Sequence, residues 1–195
     1  MQVSRIRALR GPNLWSRHTA IEAIVSCGPE DSGLSAQHPV EQQLRRIFPA
    51  VGPFDGQRPG EAVTLAHALE KVTLSLQAHA GCPVSFSRTM PTEEPGVFQV
   101  VVQYTEEVVG RLALSLAEQL CQAAAAGAGF DLEGAIAQLH EHDEDVRLGP
   151  STGSIVDAAM SRGIPIRRLT DGSMVQFGWG AKQRRIQAAE TDTTS

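Results

Sequence analysis

The sequence predicts an α+β fold in which an antiparallel sheet is covered by helices on one face. Two observations support this class. Apolar residues recur every three to four positions over 61–80, which is the period of a buried helix, and β-branched residues concentrate in short segments such as VFQVVVQY at 97–104. In chain order the predicted elements follow the pattern β-β-α-α-β-β-α-α.

Strand composition is found in four segments: 3–9, 20–26, 83–88 and 97–104. The second of these is short enough to form a single helical turn instead, but Ile21, Ile24 and Val25 are β-branched and favour a strand. A Pro- and Glu-rich turn at 90–96 joins the last two segments. We therefore expect them to form a hairpin with a long loop.

Helical composition is found over 40–48, 61–80 and 106–126, and after Asp131. Glu106 and Glu107 favour the start of the third helix because acidic groups stabilise the positive end of the helix dipole. Asp131 is a typical N-cap residue for the fourth. Three prolines and three glycines make 49–60 a predicted loop.

The predicted helix at 61–80 is apolar on one side and carries a small polar group on the other. At 100° per residue, one face holds Leu65, Leu69, Val72 and Leu76. The opposite side holds His67, Glu70 and Lys71, which we call the polar trio, flanked by Val63, Leu74 and Ala78. A solvent-exposed face would hold more charge, so we expect this helix to be covered on both sides.

Composition excludes several classes of protein. The chain has 195 residues, of which 42% are hydrophobic, enough for one domain or one domain and part of another. No apolar run approaches 18 residues and no signal-peptide pattern is visible, so we expect no membrane span and a cytoplasmic location. The three cysteines are widely spaced, which fits unpaired thiols in a reducing compartment.

The net charge of −5 is unevenly distributed. Residues 61–150 hold thirteen acidic and four basic side chains, whereas the segments on either side each carry a net charge of +2. This alternation gives no general field for binding nucleic acid, so nucleic acid is not an expected partner. A partner that carries both signs of charge fits the distribution better.

The segment from residue 149 onward differs in character. GPSTGS followed by IVDAAMSRG predicts a helix start, with Ser154 and Asp157 spaced as a capping box and 163–165 as the stop. Two short strands are predicted at 166–169 and 174–177. The glycines and hydroxyls of GPSTGS could cradle a phosphate, but their spacing matches neither common phosphate-loop pattern, so helix capping is the preferred interpretation.

Several stretches resemble cyanophycin synthetase, the bacterial ligase family that makes multi-L-arginyl-poly-L-aspartate. They are RALRGPNLWS at 7–16, LAHALEKVTLSLQAHAG at 65–81 with SFSRT at 85–89, PGVFQVVVQYTEEVVGR at 95–111, LGPSTGSIVDAAMSRGIP at 148–165, and QFGWGAKQRRIQAAETDTTS at 176–195. The resemblance covers most of the chain except residues 28–60 and 128–145.

The resemblance implies an N-terminal domain over 1–150 and, over 151–195, the incomplete α/β start of an ATP-grasp ligase domain. In this family ATP and Mg²⁺ bind further along the ATP-grasp domain. We therefore expect this chain to be a fragment that lacks the ligase active sites, binds neither ATP nor metal, and is inactive alone. The implied partners are the Arg/Asp polymer cyanophycin, the rest of the ligase chain, and further copies of it in a homo-oligomer.

By the same resemblance, the N-terminal domain holds the growing polymer near the ligase sites. An aspartate backbone with arginyl side chains offers carboxylates to Arg and guanidinium groups to Glu. The candidates for binding carboxylates are Arg5, Arg7, Arg88 and Arg111. The candidates for binding guanidinium are Glu93, Glu94, Glu106 and Glu107. For each residue taken alone, a solvated surface charge is the preferred interpretation, and only a cluster facing one groove would reverse that preference.

The polar trio suggests a second function. Some members of the family have H-x-x-E-H at this place, which resembles zinc peptidases in which two His bind the metal and Glu activates water. Such a hydrolase would cut polymer into primers. Here Lys71 replaces the second His, and a charged ammonium cannot bind zinc. We therefore expect a degenerate site without metal, in which Lys71 and Glu70 form a structural ion pair.

A third interpretation is a stand-alone interaction module whose basic tail, Lys182, Arg184 and Arg185, contacts a nucleic acid or a protein. RNA binding would need aromatic residues among these charges, and only Trp179 is near. Trp15 and Trp179 could stack on guanidinium groups, although tryptophans in a domain of this size more often belong to the core.

Overall fold

The computed structural model describes residues 1–54, 62–170 and 172–187. Outside the described residues lie 55–60 of the predicted loop, Glu61 of the predicted helix, Asp171 and the tail 188–195. The N-terminal part contains β1 (Gln2–Leu9), β2 (Ala20–Ser26), α1 (Pro39–Ile47), α2 (Leu65–His79), β3 (Ser87–Pro91), β4 (Val97–Gln103), α3 (Glu107–Ala125) and α4 (Leu132–Val146). A short 3-10 helix, Pro29–Asp31, precedes α1. The predicted order and the α+β class are confirmed.

The four strands form one antiparallel sheet in the order β1-β2-β4-β3. In the central pair, Ile21 lies opposite Val102 and Ala23 opposite Val100. These four apolar side chains belong to the core, so one face of the sheet is directed inward. The alternate residues of each strand point to the other face.

A bulge in β1 changes which of its residues face inward. Ser4 lies opposite Ile24, but Arg7 rather than residue 6 lies opposite Glu22, so β1 contains one extra residue between these pairs. Val3 and Ala8 both pack against the core although five positions separate them. An unbroken strand would direct residues five positions apart to opposite faces, so the bulge is what allows both to be buried.

Helices α2 and α3 cover the inner face of the sheet, and α1 and α4 pack behind them. The apolar stripe of α2 is buried as predicted, because Leu65, Leu69, Val72 and Leu76 are each at most 2% exposed. His67 and Glu70 on its other side are also buried. The prediction that this helix is covered on both sides is therefore confirmed.

The start of α2 was predicted too early. Residues 62–63 are not helical, and Gly33 and Leu34 both donate backbone hydrogen bonds to the Val63 carbonyl. Thr64 then caps the helix: its hydroxyl accepts from Ala66 N at 3.3 Å, and its own N–H donates to His67 Nδ1 at 3.2 Å. The hydrogen bonds from Gly33 and Leu34 and this cap hold residues 62–64 outside the helix, with Thr64 in an extended conformation.

The position of β3 was also predicted wrongly. The strand spans Ser87–Pro91 rather than 83–88, and so includes part of the expected turn. The N–H groups of Ser85 and Phe86 donate to the side-chain oxygen of Gln103 rather than to a neighbouring strand. Pro91 can end β3 because β3 is an edge strand, where a missing N–H breaks no ladder bond.

The segment after residue 149 contains α5 (Pro150–Ser161) and a second antiparallel sheet of β5 (Ile166–Arg168), β6 (Val175–Phe177) and β7 (Arg184–Ile186). The predicted capping box is wrong. The helix begins at Pro150, a favoured first position, and Ser154 lies inside it with its hydroxyl donating to the Pro150 carbonyl at 2.8 Å. The predicted stop is confirmed, since Gly163 has a φ of +69° just after the helix. The division at residue 150 and the ATP-grasp assignment stay predictions.

Two findings concern the predicted cellular context. No helix in the described part of the chain is long and apolar enough to cross a membrane. The three cysteines form no disulfide; Cys82 and Cys121 are buried and Cys27 is partly buried.

Candidate functional site

The sheet surface that faces away from α2 and α3, here called the outer face, carries several predicted site residues. Glu22 lies directly between Arg7 of β1 and Val101 of β4, and Val101 lies opposite Arg88 of β3. The four residues form one row across all four strands. Its ionisable groups follow in the order positive, negative, positive.

Glu22 is the buried centre of this row. Its side chain is 3% exposed, whereas that of Arg7 is 68% exposed. Arg7 Nε donates to Glu22 Oε2 at 2.7 Å, Arg7 Nη2 donates to the same oxygen, and Gln99 donates to Oε1. Both carboxylate oxygens are therefore occupied, while most of the Arg7 guanidinium still faces solvent.

Arg88 occupies the far end of the row. Its Nε atom is buried and has no hydrogen-bond partner among the described residues. Such groups are rare in folded proteins because an unmet buried donor costs about 1–3 kcal/mol. Arg88 therefore carries unused hydrogen-bonding capacity on the outer face.

A cleft of about 320 Å³ lies at one end of the same face, between the bulge in β1 and the turn that joins β3 to β4. Arg5 and Glu94 both line it. Glu93 is the exposed neighbour of Glu94 in that turn. The structure thus brings Arg5, Arg7, Arg88 and Glu94 to one side of the sheet.

Three other candidates cluster at the start of α3, where each already has an ionic partner. Glu106 Oε1 lies 2.8 Å from Arg168 Nη1, which links the N-terminal part to β5. Glu107 accepts from Arg111 Nε at 2.9 Å and from Arg10 Nε at 2.8 Å. These pairs reduce the charge that Glu106, Glu107 and Arg111 could offer to a ligand.

The pKa values of Glu106 and Glu107 are shifted in opposite directions. Burial raises the pKa of Glu106 above its ordinary value, although Arg168 acts in the opposite direction. Burial alone would also raise the pKa of Glu107, but hydrogen bonds from Arg111 and Arg10 outweigh it and hold that pKa below its ordinary value.

The polar trio lies beneath the sheet. Glu70 is 1% exposed, and its two carboxylate oxygens accept hydrogen bonds of 2.6 Å from the hydroxyls of Ser87 and Thr89. Lys71 Nζ lies 3.4 Å from Glu70 Oε1, so the expected ion pair is present. In this arrangement Glu70 anchors α2 to β3, and each of its carboxylate oxygens already accepts a hydrogen bond from the strand.

His67 is enclosed in the same way. Its Nδ1 contacts the backbone N–H and the hydroxyl of Thr64, and its ring packs edge-on against Phe98 at a centroid distance of 5.7 Å. Among the described residues, no three His, Cys, Asp or Glu side chains lie close enough together to hold a metal ion.

The basic tail belongs to the second sheet. Lys182 ends a short 3-10 helix, Gly180–Lys182, while Arg184 and Arg185 lie on β7, where Arg185 faces Gln176 of β6. Trp179 precedes this helix and is 52% exposed, so it is not a core residue. Trp15 is partly buried in the loop between β1 and β2.

Sequence reasoning missed four residues of these sites: Glu22, Gln99, Ser87 and Thr89. A signal for Glu22 was present, since it is the single charged residue in a strand of otherwise apolar or small residues, AIEAIVS. Ser87 and Thr89 alternate on one face of β3, and the buried polar trio implied that hydroxyls of this kind would be needed.

Comparison with known proteins agrees with the resemblance. Residues 51–126 match the family model described as the cyanophycin synthase-like N-terminal domain. The chain is 34% identical over its whole length to cyanophycin synthetases of Trichormus variabilis and of a Nostoc species, and 33% identical to that of Geminocystis herdmanii. It spans about a quarter of the length of these relatives, 23–24%.

The alignment with these relatives extends beyond the matched domain at both ends, to all of the chain. The chain is therefore similar over its whole length to about a quarter of these cyanophycin synthetases, and its residues 51–126 are similar to the cyanophycin synthase-like N-terminal domain.

Proposed function

We propose that this chain is the polymer-binding N-terminal portion of a cyanophycin synthetase and that it binds the Arg/Asp polymer across the outer face of its sheet. The observation that carries the proposal is the row Arg7, Glu22, Val101 and Arg88. It ends in two arginines that retain hydrogen-bonding capacity, and the polymer presents carboxylates that such arginines bind well.

The dimensions of the row fit an extended polymer. Arg7 and Arg88 stand on the two edge strands, three strand spacings of about 4.8 Å apart, or roughly 14 Å. An extended peptide backbone advances about 3.3–3.6 Å per residue. A polymer crossing the sheet would therefore place repeats about four units apart at the two arginines.

Charge complementarity adds to this fit. Each repeat carries a carboxylate and a guanidinium, and the outer face offers Arg7 and Arg88 with Glu94 at its rim. Because Arg7 and Glu94 are exposed and Arg88 is partly exposed, each single contact is weak and screened by salt. Affinity would come from several repeats acting together.

The test is co-sedimentation of the chain with insoluble polymer at low and high salt. Arg88→Gln removes one end of the row and is expected to reduce the bound fraction several-fold. Arg46→Gln is the matched control, because Arg46 lies on α1 and bonds Gln43 within its own helix. Equal retention of all three proteins would contradict the proposal.

Two further experiments test the predicted length of the binding site and the alternative function as an interaction module. Oligomers of one to eight repeats are expected to gain affinity up to about five repeats, because two repeats that lie about four units apart must both be present to span the row. A gel shift with RNA tests the interaction-module interpretation, since the basic tail would then bind RNA while polymer retention would be absent. The ligase activity itself is proposed only for the longer enzyme, together with its ATP and Mg²⁺.

A further inference from the structure

The cleft between the β1 bulge and the β3–β4 turn is lined by two residues of opposite charge that form no ion pair with each other. Arg5 and Glu94 both line the cavity of about 320 Å³, yet no ion pair within 4 Å connects them and neither has another ionic partner among the described residues. Elsewhere on the same part of the molecule, neighbouring charges such as Arg7 and Glu22 are paired.

Backbone structure fixes the positions of the two residues that carry these charges, Glu94 in the β3–β4 turn and Arg5 in the β1 bulge. The turn is closed by backbone hydrogen bonds from Thr92 N to Val97 O at 2.9 Å and from Val97 N to Glu94 O at 3.1 Å. The Thr92 hydroxyl also accepts from Glu94 N at 3.2 Å. The backbone of Glu94 is therefore held in a well-bonded turn, and its side chain lines the cleft.

Arg5 is held on the other side by an unusual conformation. Its φ of 48° is the only positive value of a non-glycine residue in the described part of the chain. Glycine would form the same bulge without steric strain. Strained non-glycine residues cluster at functional sites, where the side chain is needed at that position.

The size and lining of the cleft define its ligand. Ile24 and Val97 contribute apolar surface, and the Ser26 hydroxyl has no hydrogen-bond partner among the described residues. A volume of about 320 Å³ lies at the small end of ligand-binding cavities. Such a cleft can take a unit of one or two amino acids but not a folded polymer segment.

We propose that this cleft binds a small zwitterion of amino-acid chemistry, whose carboxylate contacts Arg5 and whose cationic group contacts Glu94. Free amino acids and a single aspartyl-arginine unit share this chemistry. The inference deepens the proposed function, on which it rests for the polymer as a source of that unit.

Isothermal titration with L-arginine, L-aspartate and the β-aspartyl-arginine dipeptide distinguishes these sources. At least one is expected to bind the unmodified chain, and Arg5→Gln and Glu94→Gln are each expected to weaken that binding at least tenfold. Glu133→Gln on α4 and Arg46→Gln on α1 are the matched charge controls and are expected to bind as the unmodified chain does. Acetate and guanidinium ions, each with one charge only, are expected to bind far more weakly than the dipeptide.

Arg5→Gly separates loss of the site from loss of the fold, because glycine suits the bulge and this variant is expected to remain folded. Loss of zwitterion binding in folded Arg5→Gly supports the inference. No binding of any probe, or unchanged binding in Arg5→Gln and Glu94→Gln, would overturn it. If the polymer still co-sediments in that case, only the cleft inference is wrong and the outer-face proposal stands.

Discussion

Arg7 lies beside Glu22 only because one extra residue in β1, at the bulge between Ser4 and Arg7, shifts the register of that strand. Without the bulge, Arg7 would lie opposite Ile21 and point into the core. The bulge thus has two effects. It allows both Val3 and Ala8 to pack against the core, and it places Arg7 in the charged row of the outer face.

The conformation of Arg5 predicts a substitution that stabilises the protein. Arg5→Gly removes a non-glycine residue from the left-handed region and is expected to raise the free energy of unfolding by about 1 kcal/mol. Arg5→Val is expected to lower it, because a β-branched residue tolerates positive φ poorly. Urea denaturation of both variants tests this, and a less stable Arg5→Gly protein would show that the bulge is not strained.

Substituting Arg7 is expected to destabilise the protein more than substituting Glu22, its ion-pair partner. Arg7→Gln leaves a buried carboxylate with Gln99 as its remaining donor and is expected to cost about 1–3 kcal/mol of stability. Glu22→Gln leaves an arginine that is already mostly solvated and is expected to cost less. Chemical denaturation at pH 7 measures both, and a larger loss in Glu22→Gln would contradict the burial argument.

The anchor between α2 and β3 predicts a stability loss far from the outer face. Thr89→Val keeps the shape of a fully buried side chain but removes a hydroxyl that donates to Glu70 at 2.6 Å. Because the acceptor is a buried carboxylate, the expected loss is about 1.5–3 kcal/mol. The control is Ser75→Ala on α2, the helix that carries Glu70. The Ser75 side chain makes no hydrogen bond among the described residues, so this variant should change stability by less than about 0.5 kcal/mol. Thermal unfolding that did not separate the two variants would mean that Glu70 is not the anchor.

The neighbouring glutamates at the start of α3 predict opposite pH dependences. Because the pKa of Glu106 is raised in the folded state, its contribution to stability is present at low pH and is lost as pH rises through the folded-state pKa. The stability of Glu106→Gln relative to the unmodified chain should therefore increase from acid to neutral pH. Because the pKa of Glu107 is lowered in the folded state, its contribution to stability is present above the unfolded-state pKa and is lost as pH falls. The stability of Glu107→Gln relative to the unmodified chain should therefore decrease from acid to neutral pH. Denaturation midpoints measured across that interval test both signs, and parallel curves for the two variants would contradict the assignment.

Sequence patterns predicted the elements with uninterrupted periodicity and failed where side chains replace backbone partners. β2 and α3 have nearly the predicted bounds because their burial follows one period throughout. The starts of α2 and β3 were displaced by bonds from Thr64 and from the Gln103 side chain, which no local pattern reveals. Likewise, Arg7 and Arg88 were identified as candidates individually, but their common row depends on a bulge and on strand order, which are tertiary properties.

The most direct test of the central claim, that polymer binds across the outer face, is methionine oxidation by hydroxyl radicals with and without polymer. Met90 pairs with Gln99 on that face and is partly exposed, whereas Met160 lies on α5 and is 50% exposed. Mass spectrometry is expected to show slower oxidation of Met90 when polymer is bound, with no change at Met160. Protection of Met160 with unchanged oxidation of Met90 would contradict the claim.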